Sequence, residues 1–170
     1  MLLIDGMHRI RPRLPRTSYV GRQRFLLTFC CHERQPLFSH TGVVASTRDQ
    51  ILREAGRAGV AILAYCFLPD HVHLVVAGLD DSTDLGRFVK LAKQYTGYTY
   101  KQRTGALLWQ SGWHDRVIWP SSDIIDSLRY VIENPVRAGL VRSPEAYPHT
   151  GSATMSREQL FRTCGLSPTG

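Results

Sequence analysis

"VAILAYCFLPDHVHLVVAG", residues 60–78, decides the fold. Residues 60–68 are an apolar, β-prone run, Pro69-Asp70 supplies turn chemistry, and residues 71–78 return as a second β-prone run. The stretch therefore reads as two strands folded back on each other. Side chains alternate along the second strand, so Val72, Leu74 and Val76 fall on one face and His71, His73 and Val75 on the other, the histidines roughly 7 Å apart by Cα. Two imidazoles on one face can converge on a single cation and leave positions open for a phosphate oxygen and water. Two histidines on a solvent-facing sheet surface fit the same spacing.

Working outward, "RFLLTFCCH" (24–32) reads as a strand and "TGVVASTRDQILREAGRAG" (41–59) as a helix with Val44, Ile51 and Leu52 inward and Gly59 as its stop. A second helix fits residues 82–105, capped by Ser82 or Thr83, with Leu85, Phe88, Val89 and Leu91 or Ala92 inward. "RVIW" (116–119) is a short fourth strand, and Asp123 is a plausible cap for a third helix. The order β-α-β-β-α-β plus a helix predicts an α+β, ferredoxin-like domain, an antiparallel sheet with helices on one face. That topology hosts many functions and assigns none.

The 170 residues, about 43% of them hydrophobic, suffice for one domain. We expect it at 19–150, between a basic N-terminal arm (1–18) and a C-terminal tail (151–170) in which too few apolar residues fall in register for an element. In the arm, Arg9, Arg11, Arg13 and Arg16 are spaced by prolines, which suits an extended DNA-contacting segment or a disordered leader, or the arm is shortened by initiation at Met7. "MLLI" is interrupted at once by Asp5 and Gly6, and no apolar run is long enough to span a bilayer, so a cytoplasmic protein with no membrane partner is expected. Cys30, Cys31, Cys66 and Cys164 include no C-x-x-C pair and read as reduced core residues. The formal charge of +7 is carried by 21 basic residues, 18 of them arginine, whose planar fork suits phosphate contacts. A polyanionic partner follows from that balance, and a GC-rich genome that writes Arg for Lys is the plain alternative.

The late stretch "DIIDSLRYVIENPVRAGLV" (123–141) has an inward stripe of Ile124, Leu128, Val131 and Ile132. Tyr130 lies around 200° from Leu128 and Ile132 on the helical wheel, with Asn134 one turn further along the same side. Tyr130 is thus off the core stripe, as a reactive or a boundary tyrosine would be. Pro135 is expected to end this helix, with Asn134 capping a short second helix that closes at Gly139.

"FLPDHVHLVV", "LLWQSGWHDRVI", "LRYVIENPVRAGLV" and "YPHTGSA", in that order, resemble the single-tyrosine His-hydrophobic-His transposases, and within them the REP-associated tyrosine transposases of the IS200-like family, over residues 19–152. The resemblance implies His71 and His73 as metal ligands, Asn134 as a polar third ligand, Tyr130 as the nucleophile, and Mg²⁺ or Mn²⁺ as the cation, with Zn²⁺ tolerated structurally. It implies metal-dependent cleavage and transfer of single-stranded or hairpin DNA through a 5′-phosphotyrosine. Relatives include dimers that share sites and monomers that complete a site alone, so a homodimer stays open. Trp119 stands where relatives are expected to carry a basic residue, which would shift a backbone grip to Arg116.

A phenol exchanges one phosphate ester for another and keeps the bond energy for a later reversal by a DNA 3′-hydroxyl. Its deprotonation at pH 7 costs roughly 4 kcal/mol, far less than for serine. For binding, Arg87, Lys90, Lys93, Lys101 and Arg103 along the second helix, interleaved with Tyr95, Tyr98 and Tyr100, suit phosphates and unstacked bases, or form an ordinary solvated face. Arg137 and Arg142 flank the tyrosine segment, while His114, Asp115 and Arg116 either line a site or are structural. A hairpin-binding protein that does not cut, and a metal hydrolase using water with no need of Tyr130, are the competing readings.

Overall fold

The computed structural model describes residues 14–120 and 124–166. Five antiparallel strands form one sheet in the order β4-β1-β3-β2-β5: β1 Arg24–Cys30, β2 Val60–Leu68, β3 His71–Gly78, β4 His114–Val117 and β5 Thr150–Gly151. The central hairpin is as expected, with Leu68 opposite His71 across the Pro69-Asp70 turn. Helices α1 (Thr41–Ala58) and α2 (Leu85–Thr104) connect the strands as in a ferredoxin-like fold. Helix α1 stops where Gly59 turns left-handed at φ 65° and donates its N–H to the Ala55 carbonyl.

The sheet is covered on both faces, not on one. Phe25, Leu27 and Phe29 of β1, with Val72, Leu74 and Val76 of β3, pack against α1 and α2. Leu26, Ala64, Cys66, Leu68 and Val75 point the other way and are buried by helix α3 (Ile124–Arg137), Tyr147 and helix α4 (Arg157–Thr163). The sequence permits this because β1, β2 and β3 are apolar on both alternating faces. A bulge in β2 between Ile62 and Ala64 inserts Leu63 and turns both Leu63 and Ala64 toward the α3 side.

Several boundaries differ from the sequence reading. Helix α2 begins at Leu85, capped by Asp84, whose carboxylate accepts the Arg87 N–H at 2.8 Å. Ser82 and Thr83 are not the cap: Thr83 is buried, and its hydroxyl donates to the Gly59 carbonyl. The fourth strand is His114–Val117, two residues earlier than expected, since Ile118 already turns into the α3 core. Helix α3 continues through Pro135 to Arg137. Pro135 removes one helical hydrogen bond, but it is buried in line with Leu128, Val131 and Ile132, and that burial offsets the loss. Asn134 is therefore not a cap, and the expected cap at Asp123 lies outside the described residues, as do Arg9, Arg11 and Arg13.

Residues 151–166 also form structure where a tail was expected. Helix α4 opens with a reciprocal capping box, Ser156 Oγ accepting the Gln159 N–H while the Gln159 side chain accepts the Ser156 N–H. It buries Leu160, Phe161 and Cys164 in the α3 core. Met155 and Leu166 pack against the same core from either side of the helix, and so few apolar residues over a short segment do not stand out as periodicity. Among the described residues no helix is long and apolar enough to cross a membrane.

Candidate active site

A row of paired residues crosses the α3-facing side of the sheet: His114 of β4, Thr28 of β1, His73 of β3, Cys66 of β2 and Thr150 of β5. One row along, Cys30 and Leu68 flank His71. The two imidazoles stand nearly perpendicular, with ring centroids 4.7 Å apart and their Nε2 atoms 3.2 Å apart. Each Nδ1 has a partner: Asp70 Oδ1 at 2.6 Å for His71 and Thr28 Oγ1 at 2.8 Å for His73. A carboxylate only accepts, so the His71 proton sits on Nδ1 and its Nε2 presents a lone pair, while the Thr28 hydroxyl can donate or accept.

Burial lowers the pKa of His71 against the opposing pull of the Asp70 carboxylate. Burial, then the neighbouring His71, lowers that of His73 to about 3. Both rings are therefore neutral at physiological pH, the form that ligates metal. Below pH 6.5 the unfolded chain takes up a proton at this ring that the folded chain refuses until about pH 3, so stability is whole above that window and lost as pH falls through it. Denaturation followed at pH 7.5 and pH 4.5 is expected to show wild type losing on the order of a few kcal/mol more than His73→Gln between the two.

The pair could hold a cation. At ligand distances of about 2.1 Å, two nitrogens 3.2 Å apart subtend roughly 100°, between octahedral and tetrahedral geometry. Among the described residues no three His, Cys, Asp or Glu side chains converge as a ready-made set. Asn134 faces along its own helix, its Nδ2 donating to the Tyr130 carbonyl at 3.1 Å. That bond uses the amide nitrogen and leaves Oδ1 as the atom that would ligate a metal.

Helix α3 carries Tyr130 to the histidines. With Leu128, Val131, Ile132 and Pro135 buried, Tyr130 is half-buried at the side of the stripe, and its ring meets His73 edge to face at 5.8 Å between centroids. The Arg137 and Arg116 guanidinium carbons lie 5.0 and 5.9 Å from the centre of that ring. Arg137 is held by Glu133 at 3.0 Å, one turn back.

Among the described residues expected to contact DNA, only Arg116 and Arg137 join His71, His73 and Tyr130. Arg87, Lys90, Lys101 and Arg103 are exposed on α2, across the sheet. Lys93 is engaged locally, donating to the Gln110 and Gly112 carbonyls and lying over the Phe29 and Trp109 rings. Trp119 is 62% exposed, and Arg142 is exposed beyond α3. Sequence reasoning missed Thr28, Asp70 and Arg34. The strand register opposite His73 points to Thr28, and the place beside His71 points to Asp70. Nothing local points to Arg34.

Among solved structures, the chain is similar to a REP-associated tyrosine transposase bound to a REP hairpin, at 20% identity and a TM-score of 0.69, covering 82% of this chain and 82% of that one. It is also similar to a putative transposase from Deinococcus radiodurans R1, at 20% identity and a TM-score of 0.50, covering 69% of this chain and 93% of that one. At that identity the likeness is one of fold. No curated protein sequence matches the chain. The family described as "Transposase IS200 like" matches residues 20–131, from ahead of β1 to just past Tyr130. That span takes in the four-stranded core, the histidine pair and the tyrosine together, and the chain belongs to the IS200-like transposase family.

Proposed function

We propose that the protein cleaves and rejoins single-stranded DNA next to a hairpin, in a metal-dependent reaction through a 5′-phosphotyrosine on Tyr130. The observation that carries this reading is the convergence, within one chain, of two Nε2 atoms 3.2 Å apart and a tyrosine ring 5.8 Å from the nearer imidazole. That convergence supports a site completed within one chain rather than shared between two. The hairpin substrate follows by analogy with the REP-hairpin-bound structure of similar fold.

His71 and His73 would hold the cation, Mg²⁺ or Mn²⁺, with Asn134 contributing its amide oxygen. When bound, such a cation polarises the scissile phosphate and offsets charge building on its oxygens. The Tyr130 Oη forms a bond to phosphorus as the bond to the departing 3′-oxygen breaks. The phenolic proton leaves to solvent and the 3′-oxygen is released as a hydroxyl, which can later attack the phosphotyrosine and reverse the step. Arg116 and Arg137, beside the tyrosine ring, bind the phosphate as its charge redistributes. Arg87, Lys90, Lys101 and Arg103, on the far face of the sheet, are suited to the DNA backbone away from the reacting bond.

The test is incubation with a hairpin labelled on its 3′ segment, with Mn²⁺ or with chelator. A labelled, denaturation-resistant protein adduct formed only with metal supports the reading. Free cleaved product without adduct supports water as nucleophile, and a gel shift alone supports a binding protein. Arg137→Ala is expected to slow single-turnover cleavage about a hundredfold at saturating DNA, whereas Lys101→Ala weakens binding and flattens its salt dependence without changing that rate.

A further inference from the structure

We propose that Arg34 and Asp70 act as a positioning pair for His71, fixing which ring nitrogen carries the proton and which faces the cation site. The proposal rests on reading the two histidines as ligands of one cation. Asp70 uses both oxygens: Oδ1 lies 2.6 Å from His71 Nδ1 and Oδ2 lies 2.9 Å from Arg34 Nε. The guanidinium is anchored a second time, its Nη1 donating to Cys30 Sγ at 2.8 Å. Cys30 is the ladder partner of His71, so Arg34 is tied to the same row of the sheet as the imidazole it steadies through Asp70.

The backbone gives an independent sign. Glu33 and Arg34 are consecutive non-glycine residues at φ 51° and 57°, and they are the only non-glycine residues at positive φ among those described. Such conformations persist where surrounding contacts hold them and collect near functional sites. Glycine would adopt this turn without strain. An arginine there gains only what its side chain reaches, and this one reaches Asp70 and Cys30.

The chemical consequence concerns the lone pair. A free neutral imidazole can carry its proton on either nitrogen, and a ring with hydrogen on Nε2 cannot ligate through that atom. Asp70 holds the proton at Nδ1, and Arg34 holds the Asp70 carboxylate in the orientation that does so. This is the outer-shell arrangement that orients metal-binding histidines elsewhere.

Arg34→Gly separates positioning from structural support, because it keeps the turn and removes the guanidinium. In metal-free protein, ¹⁵N-histidine NMR is expected to show a single Nδ1–H form of His71 in wild type and mixed forms in Arg34→Gly and Asp70→Ala. Calorimetric titration with Mn²⁺ alone is expected to show affinity weakened about tenfold in Arg34→Gly, with a thermal midpoint equal to wild type or higher. A lower midpoint with unchanged Mn²⁺ affinity and an unchanged His71 tautomer overturns the proposal. Identical Mn²⁺ titrations of wild type and His71→Ala would instead remove the metal reading. The tautomer comparison then still decides the positioning role, and an unaltered His71 in both variants overturns it.

Discussion

Tyr130→Phe is expected to eliminate the covalent protein–DNA adduct and to lower strand cleavage by at least ~10⁴-fold, while the same hairpin still shifts on a gel with wild-type affinity. The substitution removes one oxygen and leaves the ring. The edge-to-face contact with His73 and the neighbouring Arg137 depend on that ring, so the helix keeps its seat on the sheet. Tyr130 is also half-buried and off the inward stripe, so the fold loses little. Binding depends on cations that the change does not touch. The result distinguishes mechanisms sharply: a hydrolase that activates water at His71 and His73 has no use for the hydroxyl and would keep its rate. Substantial cleavage by Tyr130→Phe would therefore remove the tyrosine from the mechanism.

Phe161→Ala is expected to destabilise the folded protein by about 3–5 kcal/mol in chemical denaturation and to lower its melting midpoint by roughly 10 °C. Phe161 is 4% exposed and lies in the core that α4 shares with α3 and the sheet. The Arg157 guanidinium lies 5.2 Å from its ring centre, and Arg129 Nε reaches from α3 to the Cys164 carbonyl at 3.1 Å. Truncation would leave a cavity behind the helix that carries the tyrosine. If residues beyond 150 were a tail without tertiary contacts, the change would stay within about 0.5 kcal/mol. The two outcomes are far apart. Because α4 supports α3, the variant should also lose cleavage at temperatures where it remains folded, through misplacement of Tyr130.

Much of the fold was legible because its signals are local. The hairpin at 60–78 announces itself by two β-rich runs around a Pro-Asp turn, and α1 by its inward stripe and Gly59. The histidine pair was legible for the same reason, since alternation along β3 puts His71 and His73 on one face without reference to any other element. Asp84 was hidden by Ser82 and Thr83, equally good caps by type. What separated them was Thr83 being drawn to the Gly59 carbonyl, a contact 24 residues away in sequence.

Pro135 shows the limit of local rules. Proline disfavours a continuing helix, but burial against the sheet outweighs one missing hydrogen bond, and burial is settled by packing. The basic residues teach the same lesson. Arg87, Lys90, Lys101, Arg103, Arg116 and Arg137 look alike as charges, but only the last two flank the tyrosine ring, because strand pairing and helix docking place α2 on one side of the sheet and α3 on the other.

The sequence by itself determined the three central strands, the main helices, the paired imidazoles and the off-stripe tyrosine, all consequences of side-chain periodicity within a single element. Tertiary structure alone decided that α3 and α4 cover the histidine-bearing face, that Thr28 and Asp70 grip the outer nitrogens, and that Arg34 reaches back to hold Asp70. The physical reason is that a strand's pattern says which residues share a face, whereas what lies against that face depends on how much apolar area the whole chain can bury there.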